Sequence, residues 1–133
     1  MKLEVGMYVR HKPLLSSKYV KINKIKEIEE KENCLHIWLE DKDLITEKYL
    51  IKASYNIIDI LEVGDYANGY YISKIWEKDE ITHYVNETPI KRKEREIVIQ
   101  APSYGGIEIL KNKNIKSVIT HEQIEQMAYK VGE

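Results

Sequence analysis

The sequence has no phenylalanine, one cysteine, three prolines and six glycines among its 133 residues. A single thiol, Cys34, can neither close an internal disulfide nor build a thiolate metal site within one chain. No apolar run approaches the roughly 18 residues that span a bilayer. The start, Met1-Lys2-Leu3-Glu4, lacks the apolar core of a secretion signal, so a cytoplasmic protein without a membrane partner is expected. A surplus of charge is missing as well: Lys+Arg at 21 stand against Asp+Glu at 22, and no third of the chain concentrates one sign. Duplex-binding domains are usually strongly basic, because neutralising phosphates drives their non-specific affinity, so double-stranded DNA is not the expected partner.

What is present is a globular balance, 43% apolar and 32% charged, in which a disordered chain would show fewer aliphatics and more net charge. Abundant isoleucine, lysine and asparagine match a preference for AT-rich codons. Ten tyrosines and two tryptophans carry all the aromatic content. These side chains bury a ring while keeping a polar atom wet, which suits half-exposed sheet faces or a binding surface.

The strongest signal is an internal repeat. Leu3-Glu4-Val5-Gly6-Met7-Tyr8-Val9 returns as Leu61-Glu62-Val63-Gly64-Asp65-Tyr66-Ala67, five identities in seven at an offset of 58. The same offset aligns Asn56–Leu61 with Asn114–Ile119, and an offset of 50 aligns Ile22–Glu27 with Ile72–Glu77. The second offset implies about eight extra residues in the first copy, placed at His11–Lys18. The division expected is therefore 1–58 and 59–116, two like modules, followed by a tail 117–133.

Periodicity makes each module β-rich. Leu35, Ile37 and Leu39 alternate with His36, Trp38 and Glu40, and Ile97-Val98-Ile99 is too short for a stable helix. Tyr70–Trp76 running through Glu77-Lys78-Asp79-Glu80 into Ile81–Val85 reads as a hairpin turning at the polar residues. The steps Ile22 to Ile25 and Ile72 to Ile75 break strict alternation, as a bulge would. Asp41–Asp43, Ala101–Gly106 and Lys111–Asn114 carry turn chemistry. About five short strands per module is the size of a small SH3-like barrel, so the expected fold is two tandem SH3-like β-barrel modules with a short C-terminal helix. A single sandwich of about ten strands is the alternative, formed if the edges of incomplete barrels paired. The helix should start at Thr120, which with Gln123 has the spacing of a capping box; Ile124 and Met127 would face the second module, as a cap or as a partner-binding helix.

For chemistry, His11, His36, His83 and His121 lie far apart, with no zinc spacing and no phosphate or dinucleotide loop. No catalytic residue, metal or cofactor is expected. Glu27, Glu29, Glu30 and Glu32 read as a solvated face rather than an acid–base pair. Lys91-Arg92-Lys93-Glu94-Arg95 is the densest basic run, on a loop or hairpin arm; Arg92, Lys93 and Arg95 could grip a phosphate while Tyr84 or Tyr104 stacks on a base. Glu94 and Glu96 interrupt that charge. Trp38 should lie on the face opposite Leu35, Ile37 and Leu39, covered by the other module or by an external partner.

Lys2–Arg10, Ile51–Asp59 running into Leu61–Tyr66, and Ile115–Thr120 together resemble a family of small phage and prophage proteins of low-GC Gram-positive bacteria with unassigned activity. The resemblance covers about a third of the chain, through strands and turns, and leaves out the 11–18 insertion and the basic arm. It implies a non-enzymatic accessory protein that binds and modulates a host component, such as an antiphage defence enzyme, in the host cytoplasm. Contacts are expected from the 11–18 loop, Trp38 and the 86–96 arm. A nucleotide or single-stranded nucleic-acid binder is the alternative, hydrolysis at an unrecognised carboxylate site a more remote one, and exposed edges would allow a homodimer.

Overall fold

The computed structural model describes residues 2–12, 19–101 and 106–127, with the backbone alone for 78–85, 90–93, 101, 126 and 127. The chain is mainly β. Strands β1 (Tyr8–His11), β2 (Lys21–Lys31), β3 (Cys34–Leu39), β4 (Leu44–Thr46) and β5 (Leu50–Ser54) form one antiparallel sheet in the order β4-β3-β2-β1-β5. Strands β6 (Tyr66–Ala67), β7 (Tyr70–Val85), β8 (Thr88–Ala101), β9 (Gly106–Leu110) and β10 (Val118–Ile119) form the other, in the order β10-β6-β7-β8-β9. Each sheet has a 3-10 turn before its last strand, at Glu47–Tyr49 and at Asn112–Asn114. A third 3-10 turn, Ile57–Ile60, joins the halves, and helix α1 (His121–Met127) follows the last strand. Among the described residues, no helix is long and apolar enough to cross a membrane.

The repeated Leu-Glu-Val-Gly segment makes the same turn twice. Gly6 and Gly64 adopt φ +94 and +99, a region that a side chain would strain. Gly6 N–H donates to Ile25 O at 2.9 Å and Gly64 N–H to Ile72 O at 3.0 Å. Ile25 N–H returns to Met7 O and Ile72 N–H to Asp65 O, both at 2.8 Å.

These bonds correct the register of the repeat. Ile25, rather than Ile22, is the counterpart of Ile72, an offset of 47, and the strand pairs Tyr8↔Lys24 and Tyr66↔Tyr71 agree. The first half is thus longer by eleven residues, rather than eight, between its first two strands. The second half spans the same step with a tight turn at Asn68 (φ 53) and Gly69 (φ 86), the positive-φ pair that a two-residue hairpin requires. Both second strands bulge: in the second half between Ile72 and Lys74, within the expected step, and in the first half between Ile25 and Glu27 rather than over Ile22 to Ile25. The offset-58 match of Asn56–Leu61 with Asn114–Ile119 is not structural, since the former contains the joining 3-10 turn and the latter the strand β10. That strand lies past residue 116, so the second sheet extends into the segment assigned to the tail.

The polar run Glu77–Glu80 is also not a turn. β7 continues through it with a register shift between Lys78 and Ile81, and the chain reverses at Asn86 (φ 50) and Glu87 (φ 67). On β7, β6 pairs only with Tyr70 and Tyr71, and on β8, β9 pairs only with 97–101, so among the described residues the end of this hairpin is a two-stranded ribbon. Charged residues suit a ribbon with no sheet neighbour on either side, whereas a central strand would bury half of them.

Each half has its own core. Met7, Val9, Ile25, Ile37, Leu39 and Ile45 form the first, and Ala67, Ile72, Ile97, Ile99 and Leu110 are joined by Ile58 and Leu61 in the second. Strand pairing matches Ile37 with Ile97, Leu39 with Ile99 and Ile45 with Leu110. Burying each aliphatic side chain contributes about 1.5–3 kcal/mol. One core position changes character between halves: Met7 in the first is Asp65 in the second, and both are buried.

Candidate functional site

Asp65 is where the chemistry of the molecule concentrates. It occupies a core position in the β6 turn, with its side chain at 0% exposure, and a carboxylate there requires partners for its charge and lone pairs. Met7 Sδ accepts from Glu4 N–H at 3.2 Å; Asp65 Oδ2 accepts from Glu62 N–H at 2.7 Å, the same local bond with a stronger acceptor. Asp65 Oδ1 accepts from His121 N–H at 2.8 Å, tying the first residue of α1 to the second sheet.

The countercharge comes from the first half. Arg10, near the end of β1 and fully buried, places Nη1 2.7 Å from Asp65 Oδ2 and Nη2 3.2 Å from Asp65 Oδ1, a forked contact. Nη1 also donates to Ile60 O at 3.2 Å, in the joining turn. Nη2 donates to Glu122 Oε1 at 2.7 Å and lies 3.3 Å from Glu62 Oε2. His121 Nε2 approaches the same two oxygens, at 3.1 Å from Glu62 and 3.0 Å from Glu122. Two carboxylates thus alternate with a guanidinium and an imidazole around a ring drawn from both sheets and the helix.

Burial works against the charged imidazole of His121, but its hydrogen bond to Glu62 and the fields of Glu122 and Asp65 prevail over burial and Arg10, raising its pKa. Burial likewise opposes the Arg10 charge, and the bonds to Asp65 with the fields of Glu62 and Glu122 raise its pKa. Glu62, His121 and Glu122 place ligand atoms within 4.8 Å of one another, a spacing compatible with a metal ion. Arg10 already sits on both carboxylates, so a divalent ion would be held beside a buried guanidinium. The arrangement is chemically an ion-pair lock between the halves.

The helix adds to the lock. Thr120 Oγ1 donates to Val20 O at 2.7 Å, reaching the connection between β1 and β2, and accepts from Gln123 N–H at 3.1 Å. Gln123 Oε1 accepts from Thr120 N–H at 3.0 Å, completing the expected capping box. Ile124 lies with Val63, Tyr66 and Tyr71 around one cleft, on the second half as expected; the Met127 side chain is outside the described residues.

Arg95 points inward: Nη1 donates to Ile58 O at 3.0 Å and Asp59 O at 2.6 Å, and Nη2 to Leu61 O at 3.3 Å, stapling β8 to the segment that joins the halves. Tyr84 lies in β7 opposite Pro89, and Arg92 and Lys93 lie in β8, with Arg92 opposite Ile81; only their backbone is described. Tyr104 lies outside the described residues, as do 13–18 of the insertion. His11, at the start of that loop, is buried: Nδ1 donates to Lys12 O at 2.9 Å, which leaves Nε2 to accept from Asn23 Nδ2 at 2.8 Å. Glu27, Glu30 and Glu32 are exposed, and Glu29 pairs with Lys31 at 3.3 Å.

Trp38 is on the face opposite the core, as its alternation implied, and remains 37% exposed; the second half does not bury it. Directly across from it on β4 is Leu44, at 36%. Sequence reasoning missed Arg10, Glu62, Asp65 and Glu122. The one available signal was an aspartate standing where the other copy of the repeat has methionine. No family model, curated protein or solved structure matches the chain.

Proposed function

We propose that this is a non-enzymatic protein of phage or prophage origin that modulates a host component in the cytoplasm by stoichiometric protein binding, and that each half is a small barrel of the SH3-like kind. The shared strand order, with a 3-10 turn before the fifth strand in both halves, supports the barrel reading. The observation that carries the binding reading is the Trp38–Leu44 pair: two large apolar side chains, cross-strand neighbours on the outer face of the first sheet and both open to solvent. Tryptophan is enriched among residues that dominate interface energies, because a rigid ring buries much area at little entropic cost. The buried polar groups support the same reading, since Arg10, Asp65, Thr120 and the Arg95 fork are engaged with the chain itself.

The test is affinity capture from host lysate with wild type and Trp38→Ala, followed by native mass measurement of the purified pair. The expected result is one host protein bound in fixed ratio, with at least a tenfold loss of affinity in the variant, about 1.4 kcal/mol or more. A partner bound equally well by both proteins, or turnover of a small molecule without complex formation, would contradict it.

A further inference from the structure

The internal duplication supplies its own control for one surface cleft. In the first half, Tyr8 on β1 pairs with Lys24 on β2, and the Lys24 ammonium lies 5.5 Å from the centroid of the Tyr8 ring. A cation over an aromatic face is drawn to the negative π cloud. In the second half the same pair of positions is Tyr66 and Tyr71. The lysine is replaced by a second ring, and the two rings meet edge to face, with centroids 5.8 Å apart and planes at 74°.

Around those rings is an open cleft of ≈ 350 Å³, walled by Val63, Tyr66, Tyr71, His121, Ile124 and Glu125. That volume falls in the range of small-ligand sites. Tyr71 is 40% exposed and Val63 52%, so ring and aliphatic surface are open to a ligand. The Glu125 carboxylate is largely in solvent, with Oε1 3.8 Å from His121 Nδ1, and Glu62 stands behind His121.

We propose that this cleft recognises an organic cation, an ammonium or guanidinium head on an apolar stem. The tyrosine rings take the place on the ligand that Tyr8 gives to Lys24, Val63 and Ile124 cover the stem, and Glu125 supplies the opposite charge. A lysine or arginine side chain of a partner protein has this form, and so does a free polyamine. The site is on the second half, apart from the Trp38 face, and stands whether or not that face binds.

The test is an NMR titration of the full chain at about pH 8.5, where the His121 imidazolium is less populated than near neutrality and which lies below the usual tyrosine range. The probes are N-acetyl-lysine methylamide, N-acetyl-arginine methylamide and spermidine, with the uncharged Nε-acetyl-lysine derivative as control. Expected are saturable shifts at Tyr66, Tyr71 and Glu125 with the cations and none with the control. Tighter binding of spermidine would identify a free amine as the source, and tighter binding of the amino-acid probes a protein side chain. Tyr71→Leu should weaken binding about 3- to 10-fold. Tyr71→Lys, which rebuilds the first half's own arrangement, should fold and lose binding altogether, because the site is filled from within. Equal shifts with the neutral probe, no saturable shift with any cation, or undiminished binding by Tyr71→Lys would overturn the proposal.

Discussion

The two halves carry one strand order and spend their differences in separate places. The first has the longer connection between its first two strands, and the second has the longer hairpin between its second and third. Most core positions stay aliphatic in both, whereas Met7 corresponds to Asp65 and Lys24 to Tyr71. The first exchange ties the halves together through Arg10, and the second changes what meets a surface tyrosine. Met7 completes a core unaided; Asp65 needs Arg10 from the other half. Lys24 lies over the Tyr8 ring; Tyr71 meets Tyr66 edge to face. A buried ion pair contributes little net stability over apolar packing, but it penalises separation severely, because either charge alone in the interior is costly.

The comparison breaks most sharply at Asp65. Restoring the first half's residue, Asp65→Met, leaves Arg10 buried against fewer carboxylates and removes acceptors from Glu62 N–H and His121 N–H. The expected loss is about 3–5 kcal/mol in urea unfolding. The helix cap gives a smaller effect. Thr120→Ala loses the bonds to Gln123 N–H and Val20 O and should cost about 1 kcal/mol, with faster amide exchange in α1 than in either core.

The smallest effect is one of pH. Because His121 has a raised folded pKa, its imidazolium contributes fully below the unfolded value of about 6.5 and that contribution fades as pH rises through the folded value. Protection of the α1 amides should therefore fall on going from mildly acid to mildly alkaline solution, and His121→Gln should abolish that pH dependence.

The sequence made the β character, the two-fold repeat, the capping box and the outward position of Trp38 legible, each for a local reason. Leu-Glu-Val-Gly recurs in both copies, alternation marks a half-buried strand, and Thr-x-x-Gln marks a helix start. The register was lost because Ile22, Ile25 and Ile28 recur at steps of three. Ile22-Asn23-Lys24-Ile25 matches Ile72-Ser73-Lys74-Ile75 better by identity than Ile25-Lys26-Glu27-Ile28 does, yet the bonds to Gly6 and Gly64 select the latter. The hairpin turn was misplaced because charge in a two-stranded ribbon resembles charge in a loop, while Asn86-Glu87 carries the positive φ. The lock was hidden because its residues come from β1, the β6 turn and α1, which only the folded chain brings together.

The halves are held by an obligate exchange between Arg10 and Asp65. A double-mutant cycle with Arg10→Met, Asp65→Met and the pair, followed by urea unfolding, tests it most directly. Each single change should cost about 3–5 kcal/mol while the double variant recovers part of the summed loss, giving a coupling of about 2 kcal/mol or more. Additive losses, with the double variant as unstable as the sum of the two, would contradict it.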